Sequence, residues 1–222
     1  MLFFTLFFIE LFILFLLSRR LTRILSQLFY HISKSQQVTI TAIAILFFPG
    51  TLIHEFAHAL SAGLLGVHVG TIEFMPKIDG DRVKLGSVQI AHTDPIRRFI
   101  IGAAPFFLGT TLLISLLFYF VQNQLFNNYL FVIFVGYAIF EIGNTMFSSK
   151  KDMEGAIELF IAIILIIIIF YLLGVRLPAI NPNAILSQPL VQEVFQRGSV
   201  FLLVPLGIDG FIILLLKPLH KN

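Results

Sequence analysis

The sequence predicts an all-α integral membrane protein with about six transmembrane helices and a small β-hairpin between the second and third spans. Three observations predict it. Of the 222 residues, 58% are hydrophobic and only 12% charged, about half the charge of an ordinary soluble domain. The apolar residues gather into six runs near the length needed to cross a bilayer, and mean hydropathy is +0.95. One segment, 67–92, instead alternates apolar and polar residues at the period of a strand.

The spans fall at roughly 2–18, 38–65, 96–121, 129–147, 153–174 and 199–216, in one domain covering 1–222. The first is apolar from its start, carries Glu10, and ends at Arg19, Arg20 and Arg23. With no basic residues before it and no small-residue cleavage site, it reads as a retained span rather than a signal peptide. The fifth holds Phe160 to Leu173 without a strongly polar side chain, as suits a lipid-facing helix. Between spans two and three, alternating runs from Val67 to Phe74 and from Val83 to Ile90 flank Ile78-Asp79-Gly80-Asp81, a turn signal.

Composition also excludes. With no Cys, the chain has neither disulfides nor thiolate metal sites. Trp is absent, so interfacial aromatics must be Tyr and Phe. The net charge of +3 is spread over loops, which argues against nucleic-acid binding. Six spans place both termini, the hairpin and the 148–152 turn on one side. That side holds Lys77, Arg82, Lys84, Arg97, Arg98, Lys150, Lys151, Lys217 and Lys221. The other holds Arg19, Arg20, Arg23, Lys34, Arg176 and Arg197. The excess makes the first side cytoplasmic, in what is expected to be a plasma membrane.

Inside the second span stands His54-Glu55-Phe56-Ala57-His58, an H-E-x-x-H pentapeptide. Two histidines four apart share one helical face about 6 Å apart and can hold one metal ion. Ionisable groups at membrane depth are costly, and their presence asks for a function. Zinc bound there would bring a water's pKa to about 7, and Glu55 would move its proton to the leaving amine of a peptide. Ala57, Ala59, Ala62 and Gly63 let neighbouring helices approach. Catalytic zinc usually has three protein ligands and one open position. Asp152, at the start of span five with Ser149 as a candidate cap, is the leading third ligand. Glu141, Glu154 and Glu158 are alternatives. Asn144 is a candidate donor to a developing oxyanion or to substrate backbone, and shares a helical stripe with Glu141 and Ser148. His31, His68 and His92 lack helical partners and are not expected to be ligands.

These motifs resemble the site-2 protease family of intramembrane zinc metalloproteases. That family has an H-E-x-x-H helix, then a β-structured loop, a small-residue helix, and a later helix with an Asn and an Asp eight residues apart. Asn144 and Asp152 have that spacing, Gly155 lies nearby, and Gly102-Ala103-Ala104-Pro105 resembles the small-residue segment. The family's proline is missing, and its Leu-Asp-Gly is replaced by Lys151-Asp152-Met153-Glu154-Gly155. The resemblance implies one Zn2+, held by His54, His58 and Asp152, with Glu55 catalytic, at the cytosolic edge of the bilayer. Its substrates would be transmembrane segments of other membrane proteins, held extended along the hairpin by β-augmentation. The alternatives are a non-catalytic membrane metal-binding protein and an inactive protease homologue acting as a scaffold.

Overall fold

The computed structural model describes residues 2–73, 77–79, 82–84, 86–147, 149, 152, 154–172, 184 and 186–216, with only the backbone given at 77–79, 82–84, 154–158, 167 and 171. Expectations resting on Gly80, Asp81, Ser148, Lys150, Lys151, Arg176, Lys217 and Lys221, and on the side chains of Glu154 and Glu158, lie outside the described residues.

Helix α1 (Leu2–Ser33) does not stop at the arginines. Leu21, Ile24 and Leu25 continue the buried stripe of Leu11 and Leu14 at helical spacing, while Arg19, Arg20 and Arg23 stay exposed. The chain reverses at Lys34 (φ 52°) into α2 (Gln36–Leu46). A break at Phe47 then turns it by 69° into α3 (Phe48–Leu64). The reason is Pro49, which cannot donate to the carbonyl four residues back and is at home in a first turn. The hairpin follows. Strand β1 (Val69–Glu73) pairs antiparallel with β4 (Ser87–Ile90), and β2 (Lys77–Asp79) with β3 (Arg82–Lys84). Helix α4 (Pro95–Gln122) starts on Asp94, whose carboxylate accepts from the Ile96 and Arg97 N–H groups at 3.1 and 3.0 Å. After it come α5 (Tyr129–Thr145), α6 (Glu154–Leu172) and α7 (Pro189–Leu216).

The all-helical membrane architecture and the hairpin are as expected, but the count of six spans is not. Among the described residues three helices, α1, α4 and α7, are long and apolar enough to cross a membrane, or four if the bent pair α2–α3 is one span. The expected second span is broken in two. Helix α5, at 17 residues, reaches only about 25 Å at 1.5 Å per residue, against a hydrocarbon core of about 30 Å. In α6 the apolar run begins only at Leu159, after Glu154 and Glu158.

The first and last helices pack side by side and run parallel. Phe4 and Phe7 meet Phe195, with ring centroids 4.9 and 5.3 Å apart. Glu10 then accepts from Ser199 Oγ at 2.7 Å, and Leu21, Ile24 and Leu25 share a cluster with Ile213. Helix α4 runs the other way: Ile114 lies near Gly198 and Phe7, and Phe106 near Phe147, which packs on Phe15. Leu2 and Leu216 therefore lie at opposite ends of the bundle, which corrects the expectation that both termini share a side. The start of α4, the hairpin and Arg19–Arg23 belong to one end.

Glu141 is 1% exposed, and its Oε2 accepts the Gly50 N–H at 2.9 Å. This gives the first turn of α3 a carboxylate where a helix start has spare donors and positive potential. Gly50 has no room for a side chain: a Cβ would sit 2.7 Å from Thr145 Cγ2 and 2.8 Å from the Glu141 carbonyl oxygen. Gly50→Ala is expected to destabilise the fold by about 1–3 kcal/mol, as overpacking does. A thermal melt in detergent checks it, and an unchanged midpoint would count against this packing.

Candidate metal centre

Helix α3 presents His54 and His58 on one face, as the i, i+4 spacing requires, and the chain after α5 brings Asp152 to them. One donor atom from each of His54, His58 and Asp152 lies within 4.8 Å of the others, and this is the group able to hold an ion among the described residues. The two Nε2 atoms are 3.2 Å apart. Asp152 Oδ1 is 3.4 Å from His58 Nε2, and Oδ2 is 3.7 Å from His54 Nε2. Tetrahedral zinc with bonds of about 2.0–2.1 Å separates its ligands by about 3.3–3.4 Å, close to the His54–His58 and His58–Asp152 separations, and three ligands leave one vertex open.

Hydrogen bonding points the same way. His54 Nδ1 donates to the Thr145 carbonyl at 2.6 Å, and His58 Nδ1 to the Ile101 carbonyl at 2.8 Å. With each Nδ1 proton engaged, neutral rings turn Nε2 lone pairs toward each other and toward a carboxylate. Three acceptors converge with no donor among them, an arrangement that a cation at their centre satisfies at once.

Asp152 precedes α6 rather than standing in its first turn. Its Oδ2 accepts the Ser149 N–H at 2.6 Å, and its own N–H donates to Ser149 Oγ at 3.3 Å. Burial opposes its ionisation, while the hydrogen bond it accepts from Ser149 favours the carboxylate. Helix α4 accommodates it through Gly102, where a Cβ would overlap the Asp152 carbonyl oxygen and lie 2.8 Å from its carbon.

Glu55 lies beside the triangle and outside it. It is 8% exposed, its carboxylate accepts the Val88 main-chain N–H, and Gly86 lies close against it. The start of β4 thus covers the glutamate.

Other expectations fare differently. Glu141 is not in the metal group; it supports the start of α3. Asn144 has both amide protons engaged, with the Phe140 carbonyl and Asp209 Oδ1, each at 2.9 Å, so neither is left for an oxyanion in this arrangement. Glu141 and Asn144 do face the interior as their spacing implies. His31, His68 and His92 are exposed and outside the group. Ala57 and Ala62 are buried, but Gly63 has open space around it. Ile101, Gly102, Gly86, Thr145 and Asp209 were not singled out one by one from the sequence. Gly102 carried a direct signal there, in its run of small residues beside Pro105.

No protein-family model, curated protein or solved structure matches this chain.

Proposed function

We propose that this chain is a zinc-dependent intramembrane endopeptidase of the site-2 protease type, cutting peptide bonds in or near transmembrane segments of other membrane proteins. The observation that carries the proposal is the convergence of His54, His58 and Asp152 as three acceptors around one point, with Glu55 next to it and no donor among the three. Zinc bound there supplies Lewis acidity toward a peptide carbonyl and acidifies a water. The chain's own groups do the rest. Thr145 and Ile101 carbonyls fix the imidazole rings. Glu55 takes a proton from the attacking water and returns it to the leaving amine. The backbone of β4, lying against Glu55, offers an extended substrate a strand to pair with.

The test is the zinc content of the purified full chain and its cleavage of a model transmembrane substrate, beside His54→Ala. Zinc bound and substrate cut by the wild type, with both lost in His54→Ala, is the expected result. Zinc without cleavage of any membrane substrate would leave a metal-binding protein and sink the protease reading.

On this reading the metal end of the bundle faces the cytoplasm, in a plasma membrane. Among the described residues Arg19, Arg20, Arg23, Lys34, Lys77, Arg82, Lys84, Arg97 and Arg98 belong to that end, and Arg197 to the other, a one-sided distribution that supports the orientation. Because the chain has no cysteine, single cysteines can report it. In whole cells an impermeant maleimide is expected to label Asn127→Cys and not Thr93→Cys, with the reverse in inverted vesicles. Labelling of Thr93→Cys from outside the cell would reverse the orientation.

A further inference from the structure

Both histidines are held through Nδ1, and both acceptors are main-chain carbonyls that an uninterrupted helix would already have used. For His54 the reason is plain. Thr145 is the last residue of α5, so its carbonyl has no N–H further along the helix. Ile101 is different. It lies in the second turn of the 28-residue α4, where its carbonyl should accept the N–H of residue 105. Residue 105 is proline, which has no N–H, and whose ring also pushes that carbonyl away from the helical path.

We propose that Pro105 is a positioning residue of the metal centre, whose missing N–H leaves the Ile101 carbonyl to His58 Nδ1 and so aims His58 Nε2 at the ion. This rests on the metal-centre reading above. His58 is 5% exposed, so an Nδ1–H without an acceptor would be a buried unsatisfied donor. Pro105 is itself fully buried, and thus not a kink formed toward lipid. The next residue after Ile101 is Gly102, against which the Asp152 main chain rests. A single interrupted stretch of α4 therefore meets two of the three ligands, one through a released carbonyl and one through an absent side chain. With a donor restored at 105, the main-chain N–H and His58 Nδ1–H aim at the same oxygen, and the ring loses its fixed orientation.

The experiment compares three full-length proteins in detergent: wild type, Pro105→Ala, and a chain with lactic acid at position 105. The last has an ester there, with neither N–H nor ring. Zinc affinity is read by chelator competition, and ligand geometry by the visible bands of the cobalt(II) form. Pro105→Ala is expected to weaken zinc by about 10–100-fold and alter the cobalt bands, while the ester chain stays within about threefold of wild type, as for other groups that orient ligands. Wild-type affinity in Pro105→Ala overturns the proposal. So does an ester chain weakened as much as Pro105→Ala, because the ring rather than the missing donor would then matter. If Pro105→Ala fails to fold, the ester chain alone decides. A wild type that takes up no metal overturns the metal-centre reading, and this inference with it.

Discussion

Glu55→Gln is expected to keep its zinc and lose its hydrolysis. The side chain is not one of the three converging donors, so a carboxamide of the same shape leaves the metal triangle untouched. It can still accept the Val88 N–H through its oxygen, so the strand over it should stay in place. It cannot take a proton from water at neutral pH. Losing a positioned general base costs about 10²–10⁴-fold in rate, so kcat on a transmembrane substrate should drop by that much at unchanged zinc content. Full activity in this variant would remove Glu55 from the chemistry. Loss of zinc together with activity would mean that Glu55 helps hold the ion.

Gly102→Val is expected to displace Asp152 without altering any ligand. The clash is between a new Cβ and main-chain atoms, the carbonyl carbon and oxygen of Asp152, so no side-chain rotation relieves it. Asp152 would move off the two imidazoles, and zinc affinity should fall by at least about tenfold, approaching the loss in Asp152→Ala. Gly63→Ala, on the helix α3 that carries His54 and His58, is the control: nothing lies within 4 Å of its Cβ, so zinc binding should not change. Equal zinc affinity in Gly102→Val and wild type would show that Asp152 is not held as described.

The sequence exposed those parts of the site that depend on residue type and local spacing. His54 and His58 had to share a face once residues 48–64 were helical, and Asp152 stood out as a carboxylate at a helix start eight residues beyond Asn144. What depends on main-chain groups was hidden. Every residue has a carbonyl, and nothing in the letters marks those of Ile101 and Thr145 as acceptors, except a proline four residues after the first and a helix end at the second. The break at Phe47 did have a signal in Pro49-Gly50, but the apolar run passes through it unbroken. The continuation of α1 was also legible, since Leu21, Ile24 and Leu25 keep helical spacing between the arginines. The parallel pairing of α1 with α7 was not, because only tertiary contacts decide which helices are neighbours. The same holds for Asn144: eight residues before Asp152 it looked like part of the site, and its partner Asp209, 65 residues away, redirects it.

The clasp between the first and last helices also sets an order of events in synthesis. Glu10 enters the bilayer 189 residues before Ser199, which donates to it, has been made. At a translation rate of about 5–20 residues per second the carboxyl waits roughly 10–40 s for that partner. His54, His58 and Asp152 all emerge during this interval. All three residues of the candidate metal group are therefore present while the bundle is still open along α1, and a ribosome that stops short of α7 leaves a chain with that group complete and a buried acid unmatched in the membrane.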